Sequence, residues 1–117
     1  MNPDLSIIIV AYHCRDDLAR CLECVPAGAG GLRTETIVVD NASGDGTADM
    51  VRERFPQVHL IANRTNRGFA AANNQALAVS SGRHVLFLNP DTRPADGALV
   101  VLVRTLDEDP GPRRRRP

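Results

Sequence analysis

The sequence has no tryptophan and no lysine, and only four aromatic residues, Tyr12, Phe55, Phe69 and Phe87. So small an aromatic inventory cannot assemble the stacked platforms that hold single-stranded nucleic acid, and nucleic acid is excluded as a partner. Long apolar runs are missing too. Nothing approaches the roughly 18 consecutive apolar residues of a membrane span, so no integral membrane segment is expected. The apolar stretch 5–11 is too short for a secretory signal and lacks its basic lead-in. There are three cysteines, Cys14, Cys21 and Cys24. No second pair or histidine cluster completes a zinc site with Cys21 and Cys24, and the three fall near one helical face with Leu18, Leu22 and Val25, as buried small hydrophobes do. A cytoplasmic location is expected, in solution or at the inner face of the cell membrane.

With these classes removed, 117 residues give room for one domain, and 43% hydrophobic with 24% charged residues is the composition of a chain with a core. The formal charge of zero hides an asymmetry. Arg113 to Arg116 supply four of the fourteen basic residues, which leaves a body of net charge −4 ending in an arginine run. Such a run is ordinarily a solvated tail. The chain divides into a domain over 1–109 and a disordered Pro/Arg-rich tail over 110–117.

Leu5-Ser-Ile-Ile-Ile-Val-Ala11 is an apolar, β-branched run with Ser6 as its one polar residue, the pattern of a strand buried on both faces of a parallel sheet. Asp16 and Asp17 open a helix carried by Leu18, Cys21, Leu22 and Val25, with Pro26 and the following glycines as its end. The rhythm repeats. Strands are expected at Thr36–Val39, at Val58–Ala62 near an edge, and at His84–Leu88. Helices are expected at about Thr47–Phe55, at about Ala70–Ser80 with Gly82 as terminator, and from Pro94 through Leu99, Val103 and Leu106. Alternating strands and helices predict an α/β fold with a mainly parallel sheet covered on both faces.

Open parallel sheets bind ligands outside the carboxyl ends of their strands. This selects Val10-Ala11-Tyr12, Asp40-Asn-Ala-Ser43 and Asn89-Pro-Asp-Thr92. Asp40 suits a ribose hydroxyl or a base N–H, or else caps the next helix or orders the turn. Tyr12 offers a ring on which a base can stack, or is an ordinary rim aromatic. Asp91, stiffened by Pro90, suits Mg²⁺ or Mn²⁺, hard ions often held by one or two carboxylates plus substrate phosphates; it serves equally as a turn aspartate. Neither G-x-G-x-x-G in the first loop nor a P-loop occurs, which argues against a dinucleotide dehydrogenase and a P-loop nucleotidase. A phosphate can instead meet backbone N–H groups near Gly68, where a helix opens. A phosphoacceptor signalling domain would want clustered acids after the first strand and a late lysine, and has neither here.

Four segments, Ser6–Tyr12, Ile37–Ser43 with Asp45-Gly46-Thr47, Asn66–Asn74 and Leu86–Thr92, resemble the successive motifs of family 2 glycosyltransferases, from about Leu5 to Asp109. The subgroup that includes rhamnosyltransferases is most similar, with Asn-Pro-Asp where other members carry Asp-x-Asp. The resemblance implies the Rossmann-like amino-terminal half of a GT-A type fold. It also implies a nucleoside-diphosphate sugar as ligand, with thymidine or uridine as base, and a saccharide or lipid-linked acceptor. Val10, Ala11, Tyr12, Asp40, Gly68 and Asn89 would bind the nucleotide sugar, and Asp91 the Mg²⁺ or Mn²⁺ that bridges its diphosphate.

The resemblance further implies that the family's later half supplies the acceptor site and the catalytic carboxylate, so no catalytic residue is assigned here. A truncated reading or short fragment is expected, without turnover and self-associating through an exposed sheet edge. The rival reading is a non-catalytic nucleotide-binding or interaction module.

Overall fold

The structure, a computed structural model, describes residues 2–108; Asp109 and the expected tail over 110–117 lie outside the described residues. Four βα units follow one another: β1 Leu5–Ala11, α1 Arg15–Ala29, β2 Thr34–Asp40, α2 Thr47–Arg54, β3 His59–Ala62, α3 Phe69–Val79, β4 His84–Phe87 and α4 Ala98–Glu108. The strands form one parallel sheet in the order β3-β2-β1-β4, so the chain steps outward from β1 to β3 and then crosses back to the far side of β1.

β1 lies in the middle, as its apolar run requires. Its alternating side chains serve two cores. Leu5, Ile7 and Ile9 pack with Leu18, Cys21, Leu22 and Val25 of α1, Val51 of α2, and Leu99 and Val103 of α4. Ile8 packs on the opposite face with Ile37 and Val39 of β2 and Ala72 and Ala76 of α3. Burial pushes the Cys21 thiol up to about 11, so it behaves as an apolar side chain and not as a thiolate.

Four expectations need correction. Pro26 does not end α1. The helix runs one turn further, although proline cannot donate to the carbonyl of Leu22, because Val25, Gly28 and Ala29 are buried in that turn. A Cβ at Gly28 would stand 3.0 Å from the Cβ of Pro94, so the turn is held by packing on the segment before α4. Pro94 is not in the first turn of α4: Gly97, at φ 75°, is left-handed and starts the helix afresh at Ala98. β4, expected to reach Leu88, ends at Phe87, and among the described residues it is an edge strand paired with β1 alone, with Phe87 51% exposed. Gly82 does not cap α3, which ends at Val79 with Ser80 as its C-cap, but passes against β1.

That contact closes the amino end of the sheet. The buried Ser6 hydroxyl donates to Glu35 Oε2 at 2.5 Å and accepts the Gly82 N–H at 2.8 Å, while the Ser81 N–H donates to Glu35 Oε2 at 2.5 Å. Burial works to raise the Glu35 pKa, but the Ser6 and Ser81 donors outweigh it and hold the carboxyl below its ordinary value. With the folded pKa below the unfolded one, this stabilisation is complete above the ordinary carboxylate range. It is lost as pH falls through the folded value. Denaturant unfolding should therefore show Glu35→Gln less stable than the parent at neutral pH, with the gap closing as pH falls below the ordinary carboxylate range. A constant gap would show that Glu35 is not ionised in this contact.

Candidate functional site

Because β1 and β4 are neighbours joined by opposite-going connections, the switch in strand order falls between their carboxyl ends. An open cleft of about 390 Å³ lies there. β1 and the residue after it contribute Val10 and Tyr12, the end of β2 contributes Asn41, the start of α3 contributes Gly68 and Phe69, and the loop after β4 contributes Pro90. The three strand-end segments selected from the sequence are thus brought together around one space. The rule that places ligands at strand ends holds because backbone groups there leave the ladder and the connecting loops diverge.

The expected residues are not equivalent within it. Val10, Tyr12 and Gly68 line the cleft, and Tyr12 is 51% exposed with its ring 4.1 Å from that of His13. Ala11 is fully buried, in register with Asp40, and contributes its carbonyl, which accepts the Asn41 N–H at 2.9 Å. Asp40 is 4% exposed and lies beside the cleft, not in its lining. Its Oδ1 accepts the Ser43 N–H at 3.1 Å, which orders the turn, and Oδ2 has no partner among the described residues. Asn89 and Asp91 flank Pro90 and are both exposed. The Asp91 carboxylate makes no hydrogen bond or ion pair among the described residues, whereas its backbone carbonyl accepts from Arg93 at 3.0 Å.

Among the described residues no group of three or more His, Cys, Asp and Glu side chains comes together to hold a metal ion. The donor set therefore does not fit a resident metal cage. It fits a hard dication that arrives with a diphosphate and takes one protein carboxylate, a mode open to Mg²⁺ and Mn²⁺.

Several residues that shape the rim had no individual role in the sequence reading. His13 adopts φ 51°, its N–H donates to Ser43 Oγ at 2.9 Å, and its Nδ1 accepts the Gly44 N–H at 3.2 Å, so the first two loops are pinned together. Asp45 braces the loop before α2 against Thr47, accepting from its hydroxyl at 2.5 Å and its N–H at 3.2 Å, and also accepts the Arg15 N–H at 3.1 Å. Burial opposes ionisation of Asp45, yet these donors hold its pKa below the ordinary value. Asp45 and Gly46 stand in a turn-forming loop that the sequence shows, and the Asp45–Thr47 contact is local to it. The longer-range contacts of Asn41, Asn63 and Gln75 carry no such signal.

Fold and cleft together define an open α/β domain with a cleft at the carboxyl ends of its parallel strands. The chain belongs to glycosyl transferase family 2, whose sequence profile matches residues 6–111. It is 34% identical over 106 residues to the succinoglycan biosynthesis protein ExoO of Rhizobium meliloti, covering 90% of this chain and 30% of that protein. It is 33% identical over 88 residues to WfaP of Escherichia coli, a UDP-Glc:alpha-D-GlcNAc-diphosphoundecaprenol beta-1,3-glucosyltransferase, covering 74% and 35%. The chain thus spans about a third of the length of these relatives.

Among solved structures, the mannosyltransferase PcManGT of Pyrobaculum calidifontis, in complex with GDP-Man and Mn²⁺, matches with TM-score 0.76 at 29% identity. The match covers 91% of this chain and 33% of that one. TarS of S. aureus matches with TM-score 0.75 at 24% identity over 92% of this chain and 33% of its own, which supports the fold. The expected α/β architecture and family are borne out. No helix among the described residues is long and apolar enough to cross a membrane.

Proposed function

We propose that the domain over 1–109 holds a nucleoside-diphosphate sugar, with a divalent cation, for glycosyl transfer to a saccharide or lipid-linked acceptor. The observation that carries this reading is the convergence of Val10, Tyr12, Asn41, Gly68 and Pro90, from three strand ends and the start of α3, on one cleft in a family 2 chain. In this reading the Tyr12 ring stacks on the base. Asp40 receives a base N–H or ribose hydroxyl at Oδ2, and Asn89 bonds a ribose hydroxyl. The α3 amino end at Gly68 faces phosphate oxygens. Mg²⁺ or Mn²⁺ would be held by Asp91 and would neutralise charge on the departing diphosphate. Support for a sugar nucleotide and Mn²⁺ comes from PcManGT, and for a uridine donor and a lipid-linked acceptor from the activity for which WfaP is named. A thymidine-diphosphate donor belongs to the same reading, as does self-association through the open edge of β4.

Asp40 supplies the test. Asp40→Ala is expected to weaken binding of uridine or thymidine as well as of the diphosphates, by about tenfold, the cost of one hydrogen bond to a charged group. Calorimetric titration of both nucleosides and both diphosphates, on protein whose melting confirms folding, measures it. Loss confined to the diphosphates would remove Asp40 from the base and ribose.

A further inference from the structure

Asn41 directly follows β2 and is 3% exposed, so the protein must satisfy its amide. Its Nδ2 donates to the Gly68 carbonyl at 3.2 Å, and its Oδ1 accepts the Arg67 N–H at 3.0 Å and Asn63 Nδ2 at 3.2 Å. Asn63, directly after β3, exchanges two bonds with Gln75 in the second turn of α3: Asn63 Nδ2 donates to Gln75 Oε1 at 2.8 Å, and Gln75 Nε2 donates to Asn63 Oδ1 at 2.9 Å. Three amides thus run in series from the end of β2, past the end of β3, to α3. Both backbone groups that they hold belong to the two residues before Phe69.

Beyond these bonds, the Gly68 N–H donates to Asn66 Oδ1 at 2.8 Å and its carbonyl also accepts the Ala72 N–H at 3.2 Å. Gly68 sits at φ 85°, a left-handed conformation, and nothing lies within 4 Å of where its Cβ would be. Hydrogen bonds to the Asn41 and Asn66 side chains therefore hold this wall of the cleft. Asn63 and Gln75 do not line the cleft.

We propose that Asn41, Asn63 and Gln75 are positioning residues, an amide relay that places the Arg67–Gly68–Phe69 wall against the diphosphate, so that Gln75 governs affinity for a ligand it does not touch. This rests on the reading of the cleft as a nucleotide site. Removing the Gln75 amide leaves Asn63 short of two partners, and Asn63 then competes differently for Asn41 Oδ1.

Calorimetry with UDP, GDP and dTDP in MnCl₂, well below the melting temperature, tests the relay. Gln75→Ala is expected to weaken diphosphate binding by about tenfold, and Asn63→Ala with Gln75→Ala together should cost no more than the worse single variant, as members of one network do. Ser6→Ala, destabilising at the opposite end of the sheet, should leave affinity unchanged. Parent-like affinity in Gln75→Ala, or equal weakening in Ser6→Ala, overturns the proposal. If the parent chain binds none of the three diphosphates, it is the nucleotide reading that fails. The relay is then read without ligand from hydrogen exchange of the Arg67 amide by NMR: exchange about tenfold faster in Gln75→Ala supports it, and an unchanged rate overturns it.

Discussion

Titration of an Asp91→Ala variant with UDP or dTDP is expected to give the same weak affinity in MnCl₂ and in EDTA, whereas the parent chain should bind about 10 to 100 times more tightly with metal than without. Opposite unit charges about 4 Å apart gain roughly 4 kcal/mol at an effective dielectric of about 20, and desolvation takes back part of this. In the described residues the Asp91 carboxylate stands unpaired beside Pro90 and has no neighbouring acid cluster to take over its role. The metal dependence should therefore vanish entirely in the variant. Asp91→Asn, which keeps the shape and an oxygen donor, should behave as Asp91→Ala does, because charge and not geometry is what it lacks. A variant retaining the parent's ratio of affinities with and without metal would show that the cation is bound elsewhere.

An equally large effect, on stability, is expected at Gly82. A Cβ there would stand 2.5 Å from both the backbone nitrogen and the hydroxyl of Ser6, and 2.8 Å from the Leu5 carbonyl carbon. Two of these three atoms are backbone of the central strand, fixed by pairing on both sides, so relief would need β1 or the approach to β4 to move. Gly82→Ala should cost about 3 kcal/mol, at the upper end of overpacking, and break the Ser6–Gly82 hydrogen bond as well. Gly31→Ala is the contrast. Nothing lies within 4 Å of a Cβ at Gly31 and its φ is not left-handed, so melting should be unchanged or slightly raised. Thermal denaturation of the two variants decides it, and a Gly82→Ala protein that melts with the parent would mean that the loop before β4 yields without cost.

What could be read in advance follows the range of the interactions involved. The bounds of β1 coincide with its apolar run because burial on both faces leaves no room for a polar residue, except Ser6, whose hydroxyl is satisfied by Glu35. The cleft could be located because strand ends are visible in sequence and topology does the rest. Local punctuation was less dependable. Pro26 and Pro94 are strong signals taken one at a time, and both are overruled by α1 packing on the segment before α4. The Asn41 relay joins residues 12 to 27 positions apart, and asparagine and glutamine have no periodicity to betray a shared task. Asp40 was legible as an acid at a strand end that could order the turn, as its bond from Ser43 does, but its burial was not.

The place of β1 also has a bearing on how the chain reaches this state. Its two neighbours are made at very different times during synthesis: β2 follows within one βα unit, whereas the Ser6–Gly82 bond spans 76 positions. A nascent chain that has emerged only through α3 carries its most apolar strand as a naked edge, able to pair with a second nascent chain. Closure by β4 is a late, high-contact-order event, and the rate-limiting step of folding should lie there. Gly82 then matters twice, since the residue that permits close passage over Leu5 and Ser6 also ends the interval in which misassembly competes with folding.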